Sequence, residues 1–275
     1  MPVMKRPYED DKKQEGVIHL AMEIPTNHLD WFAPFQQFFM ALAPEVLRNP
    51  KYAAWHLRQS AAFGAPMALD NGSNELGKPL DMNEMMIAAT LVGADLIIAP
   101  DFPRDSERTV QSCYDFVRET QFDGIVGACQ GETIDDMVDC VKEYLAMDIT
   151  TIGFSWRLPR VELLIKLLEE ELLDQRQMYM LLGFKSFPEL SKISEMGSWL
   201  WLLDTGEPIK AALRMAQMTE TYQPLHEAYP LGTEISLTPE QLAIATQNVA
   251  TMGNLIPRLN ELSPMDRSDD DEGDD

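Results

Sequence analysis

Pro66-Met67-Ala68-Leu69-Asp70-Asn71-Gly72 is an apolar run that stops abruptly in Asp-Asn-Gly. An apolar segment this short, closed by a turn signal, reads as a strand buried on both faces. Its last carboxylate then stands at the mouth of a turn, held by a rigid element and open to a ligand. The same strand-then-acid pattern recurs at Ile97-Ile98-Ala99-Pro100-Asp101 and at Trp201-Leu202-Leu203-Asp204. Taken singly, a strand-end aspartate is an ordinary turn former or helix cap. Three that follow their strands directly point to a shared site.

Outward from this stretch, similar runs occupy 17–22, 36–42, 95–100, 124–129, 148–154, 177–182 and 198–203. Helical patterns lie between or after them, over 44–62, 81–92, 105–120, 133–146, 159–173, 186–196, 207–219 and 238–255. Asp81 with Glu84, Ser186 with Glu189 and Thr238 with Gln241 have the spacing of capping boxes. Strand-helix alternation at roughly thirty-residue spacing predicts a single-domain (β/α)8 barrel. An open doubly wound sheet is the alternative. It would carry a glycine-rich phosphate loop after its first strand, and Met22-Glu23-Ile24-Pro25 is not one. The expected layout is a flexible arm over 1–16, the barrel over 17–257 and an acidic disordered tail over 258–275.

The formal charge is −23, of which residues 266–275 carry −6, leaving −17 on the body. Taken alone this opposes simple nucleic-acid binding, which needs clustered Lys and Arg. Arg157 and Arg160 after the sixth run, with Lys78, Arg104 and Lys185 in other loops at the same end, are read as a local positive rim. A basic partner protein is a further answer. The three cysteines, Cys113, Cys129 and Cys140, have no metal-like spacing. A reduced, cytoplasmic setting is expected, without disulfide or metal site. No run reaches the length of a membrane span, and no membrane association is expected.

In a barrel, active sites gather at the C-terminal ends of the strands. Those ends give Asp70, Asp101, Gln130, Gly153 and Asp204. The segments Leu69-Asp70-Asn71-Gly72-x-x-Glu75-Leu76-Gly77, Ala99-Pro100-Asp101, Cys129-Gln130-Gly131, Thr151-Ile152-Gly153 and Leu203-Asp204-Thr205-Gly206-x-Pro208 follow in that order. Together they resemble the phage and bacterial DNA 7-deazaguanine transglycosylases, relatives of the tRNA-guanine transglycosylases. The resemblance spans residues 17–216 and implies exchange of a guanine in DNA for a 7-deazaguanine base such as 7-cyano-7-deazaguanine, with no cofactor. It implies Asp204 as the nucleophile on C1′, Asp70 as the acid/base at the departing and incoming base, and Asp101 as reader of the guanine N1 and N2 donors. Gln130 and the backbone of Gly131 and Gly153 would hold the O6 side. Asn71 and Gly72 would form a tight turn letting the base approach the backbone.

The chemistry is coherent. A carboxylate at an anomeric carbon can attack and later leave. The second carboxyl needs a different environment to move a proton. A base in a duplex must be flipped out, or the strand must already be single. The zinc site of the tRNA enzymes is absent from the sequence, and their Ser-Gly-Gly is Asn71-Gly72-Ser73 here; both favour DNA. The tRNA substrate, a noncatalytic base-binding or nucleic-acid-binding barrel, and a generic barrel lyase or hydrolase stay open. His19 is read as packed or as facing the mouth. Trp31, Phe32, Phe35, Phe38 and Phe39 are read as core, with one ring able to stack on a base. Cys129 is read as an apolar residue beside the pocket, and Glu75 marks the resemblance without a chemical task.

Overall fold

A computed structural model describes residues 18–173, 177–196, 200–224 and 235–262. The expected arm lies outside the described residues, as do residue 17, Ser198 at the start of the eighth run, and all of the tail past 262.

The expected barrel is present. Its strands are β1 His19–Met22, β2 Phe39–Leu42, β3 Met67–Asp70, β4 Leu96–Ile98, β5 Ile125–Cys129, β6 Thr151–Ser155, β7 Met178–Leu182 and β8 Leu200–Thr205. They form one eight-stranded sheet in the order β1-β8-β7-β6-β5-β4-β3-β2, every ladder parallel. Among the described residues β1 and β2 share no ladder. They meet through Gln37 N–H donating to Leu20 O at 3.4 Å and Met22 N–H donating to Gln36 Oε1 at 3.4 Å. The barrel is closed along seven seams and nearly closed along the eighth.

The helices are α1 Leu29–Phe32, α2 Ala43–Arg48, α3 Pro50–Phe63, α4 Ser73–Leu76, α5 Met82–Val92, α6 Ser106–Thr120, α7 Ile134–Ala146, α8 Arg160–Glu169, α9 Phe187–Ser194, α10 Glu207–Leu213 and α11 Pro239–Leu262. The helix expected over 44–62 is two. Pro50 forces Asn49 out of helical geometry, to φ −124° and ψ 95°. Asn49 Oδ1 then caps α3 by accepting from the N–H groups of Lys51 and Tyr52, both at 3.2 Å. The expected caps form at Asp81 and Ser186, and Thr238 and Gln241 make the reciprocal pair in full. No described helix is long and apolar enough to cross a membrane.

Two apolar layers hold the fold. One, with Phe154, Tyr144, Leu163 and Met85 among its members, fills the space between sheet and helices. The other fills the barrel with Ala21, Met40, Ala68, Ile98, Val126, Ala128, Met180 and Leu202. Side chains alternate along a strand. The inward series therefore continues from Ala21 to Glu23, Ala68 to Asp70, Ala128 to Gln130, and Leu202 to Asp204. Apolar residues below and polar ones at the end give the C-terminal rim a polar lining.

Candidate active site

Asp70 closes β3. Its Oδ1 accepts the Gly72 N–H at 2.7 Å. Burial pushes its carboxyl well above the usual range, Glu75 pushes it further, the Gly72 bond pulls back, and Asp204 and Asp101 add repulsion. Asp204 lies within β8, opposite Ala21 of β1 and Leu182 of β7. Burial and then Glu23 raise it to about 7, with Lys210 opposing. Both aspartates remain partly accessible at the mouth while protein atoms crowd their carboxyl groups.

Asp101 is 5% exposed and already satisfied. Its Oδ1 accepts from Asn71 Nδ2 at 2.8 Å and Ser73 Oγ at 2.6 Å, and its Oδ2 accepts from Gln130 Nε2 at 2.5 Å. Asn71 Nδ2 also donates to Ala99 O at 2.7 Å, and its Oδ1 accepts the Ser73 N–H at 2.8 Å. Gln130 Oε1 accepts the Arg104 N–H at 3.2 Å. This network ties the ends of β3, β4 and β5 together. The space it leaves, lined by Asp70, Ser73, Asp101, Gln130, Ser155 and Leu182, is ≈ 20 Å³, room for about one water.

The glycines have local tasks. A Cβ at Gly72, which has φ 72°, would stand 2.3 Å from Pro44 Cγ at the start of α2. One at Gly131 would meet Asp136 and Met137 of α7 at 2.9 Å, and one at Gly153 would meet Leu182 at 2.9 Å inside the barrel. Gly72 thus lets the β3 turn seat on Pro44.

The expected positive rim is only partly built. Arg160 is 1% exposed and does not reach solvent. Its Nε and Nη2 donate to Glu189 Oε1 and Oε2 at 3.1 and 2.6 Å, and its Nη1 donates to Gly183 O at 2.8 Å. It is an internal strut between α8 and α9, because a desolvated guanidinium needs a carboxylate beside it. Lys185 is half-buried against Leu158 O at 3.5 Å. Arg104 pairs with Glu132 at 3.4 Å. Arg157 and Lys78 are exposed.

His19 also departs from the mouth-facing alternative. It stands at the start of β1, the opposite end of the strand from Glu23, with its ring edge-on to Trp201 at 6.2 Å. Of the aromatic cluster, Phe38 packs on Trp201 at 5.2 Å inside the barrel and Phe39 packs on Trp55 at 5.7 Å outside it. Cys129 is buried beside the pocket, as expected, and Cys113 and Cys140 are buried too.

Glu23, Lys210 and Ser73 complete the site and were not singled out from the sequence. Glu23 follows an apolar strand as Asp70 and Asp204 do, and period two from Ala21 would have found it. Glu75 now has surroundings: burial raises its carboxyl, while Lys210 and Arg157 draw it down. Among the described residues no group of His, Cys, Asp or Glu is arranged to hold a metal ion.

No family model and no curated protein matches this chain. Solved structures match its fold. KGPDC from Streptococcus mutans is 12% identical with TM-score 0.51, covering 88% of this chain and 99% of its own. The phospho-2-dehydro-3-deoxyheptonate aldolase (DAHP synthase) from Thermotoga maritima is 11% identical with TM-score 0.52, covering 89% and 70%. At such identity the likeness establishes the barrel and nothing about its chemistry.

Proposed function

We propose that this chain is an enzyme, a DNA guanine transglycosylase that exchanges guanine in DNA for a 7-deazaguanine base such as 7-cyano-7-deazaguanine. The observation that supports it is the pairing of Asp70 and Asp204 on inward positions at the C-terminal ends of β3 and β8 in different surroundings, Asp70 accepting the Gly72 N–H and Asp204 standing beside Glu23. Asp70 is held well above the usual range and Asp204 near 7. Unequal environments divide one acid from one nucleophile.

In the first step the Asp204 carboxylate attacks C1′. The glycosidic C–N bond breaks, and the departing guanine takes the Asp70 proton. In the second, the nitrogen of the incoming base attacks C1′, the bond to Asp204 breaks, and the incoming base returns a proton to Asp70. Asp101 receives the N1 and N2 donors of the base in place of those from Asn71, Ser73 and Gln130. That exchange of partners keeps the buried carboxylate satisfied, and it moves Gln130 to make room for a purine. The flipped nucleotide meets Arg157 and Lys78 at the rim, and a basic partner protein supplies further grip on the strand.

The test is incorporation of labelled guanine or 7-cyano-7-deazaguanine into DNA and, separately, into tRNA. Incorporation into DNA that disappears in Asp204→Asn, with a trapped protein–DNA adduct in the wild type, is the expected result. Full activity of Asp204→Asn, or labelling of tRNA alone, would sink the assignment.

A further inference from the structure

Two arginine–aromatic stacks stand at the rim, one on each side of the pocket. Phe102 directly follows Asp101, on the loop between β4 and α6. Its backbone is pinned twice, the N–H donating to Thr109 Oγ1 at 2.9 Å and the carbonyl accepting from the same hydroxyl at 3.1 Å. The Arg108 guanidinium lies over the Phe102 ring, 3.6 Å from its centroid. Trp156 directly follows Ser155, the last residue of β6. Its N–H donates to Leu182 O at 2.7 Å, and its ring lies so close to Gly183 that a Cβ there would stand 2.5 Å from Trp156 Cδ1. The Arg157 guanidinium is 5.5 Å from that ring's centroid.

Asp101 and Ser155 both line the pocket, so each stack begins one residue outside it. Only β5 separates β4 from β6, which puts the two strand ends roughly 10 Å apart. Phe102 and Trp156 are half-buried, and both arginines are exposed. Among the described residues neither Arg108 nor Arg157 is in an ion pair, although Arg157 draws on Glu75. Glu132, on the loop between the stacks, is answered by Arg104 at 3.4 Å. A third stack makes the contrast: Arg118, 5.6 Å from the Tyr114 ring farther along α6, is paired with Asp115 at 3.3 Å and Glu119 at 3.5 Å. Fixed rings carrying unpaired guanidiniums are what a single nucleic-acid strand binds, its bases on the flat faces and its phosphates on the charge.

We propose that the Phe102–Arg108 and Trp156–Arg157 stacks bind single-stranded DNA across the pocket, each taking one of the two nucleotides that flank the base inside it. The inference rests on the reading of the pocket as a base site, and it says how the strand is held there. A span of roughly 10 Å over two nucleotide steps exceeds the stacked spacing of about 3.4 Å per nucleotide. The strand is therefore opened between the stacks, which leaves the middle base free to turn inward. The contact also answers the acidic body, because the strand meets it through two cations that no carboxylate neutralises.

The experiment is fluorescence anisotropy of the full chain with a labelled single-stranded DNA oligonucleotide containing one guanine, over a series of salt concentrations. Arg108→Gln and Arg157→Gln are each expected to weaken binding about fivefold and to reduce the slope of log affinity on log salt by about 0.7. Phe102→Leu is expected to weaken binding about fivefold and keep the slope, because a flat face is lost and no charge is. Arg118→Gln, the same change at a paired arginine, is expected to bind as the wild type does. Wild-type affinity and slope in both Arg108→Gln and Arg157→Gln, an equal loss in Arg118→Gln, or a wild type that binds no single strand would overturn the proposal. If the strand binds as stated and no base is exchanged, the transglycosylase reading falls and this inference stands. If base exchange proceeds with an unchanged KM for DNA in both arginine variants, this inference falls alone.

Discussion

Asp204 carries a cost that depends on pH. Its carboxyl is raised in the folded chain to about 7 from an ordinary value of 3.8, so the folded state binds its proton more tightly than the unfolded state. Well below pH 3.8 both states are protonated and the residue costs nothing. From there to pH 7 the unfolded carboxyl ionises freely while the folded one does not, so stability falls as pH rises; above 7 the loss is constant. Asp204→Asn removes this term. The variant is expected to be more stable than wild type by roughly 2 kcal/mol at pH 8, discounted for water at the mouth, with the difference vanishing below about pH 3. Urea unfolding at the two pH values measures it. A difference that does not change with pH would show that burial does not govern this carboxyl. The aspartates were legible in the sequence because each ends an apolar run. Ser73 and Lys210 were not, because a hydroxyl and a lysine on helices carry no local sign of which strand end they face.

At the scale of elements, Arg160 and Glu189 form a buried ion pair between α8 and α9. Both are nearly excluded from water, at 1% and 8% of side-chain exposure, and the guanidinium also holds Gly183 O. Removing one partner leaves the other charged and dry. Arg160→Met is expected to cost about 3–5 kcal/mol, and the double change with Glu189→Leu to recover most of it. Chemical denaturation of the two variants decides this; equal stability of both would contradict it. The sequence placed Arg160 correctly at the start of a helix after the sixth strand. It could not show the orientation, because Glu189, also read as part of a capping box, lies 29 residues away. Its neighbour Arg157 is exposed, so two arginines three apart take opposite roles. Helix lengths were less legible than strands. The split at Asn49 follows from Pro50, but the early end of α10 at Leu213 does not follow from its apolar pattern. Buried Asn248 of α11 holds the turn beyond α10, accepting the Met218 N–H at 2.7 Å and donating to Ala216 O at 3.1 Å.

For the molecule as a whole, the barrel was readable because eight apolar runs alternate with helical ones, and parallel strands buried on both faces leave that signature. The near-closure was not readable. It depends on β1 and β2 being too far from ladder geometry, which only the three-dimensional path of 23–38 decides. That seam has a dynamic consequence. Widening the ring elsewhere breaks a ladder of backbone bonds. Parting β1 from β2 breaks one backbone bond and one to Gln36, fewer than any ladder elsewhere in the ring, so opening at this seam costs less than at the others. Breathing is therefore concentrated beside Glu23. Amide hydrogen exchange at Met22 and Gln37 is expected to run about tenfold faster than in β5 and β6, and uniform protection around the ring would refute it. The pocket between β3 and β7 has room for about one water, so any larger ligand needs the rim to give, and the unlaced side is where the ring has slack against the seven laced seams.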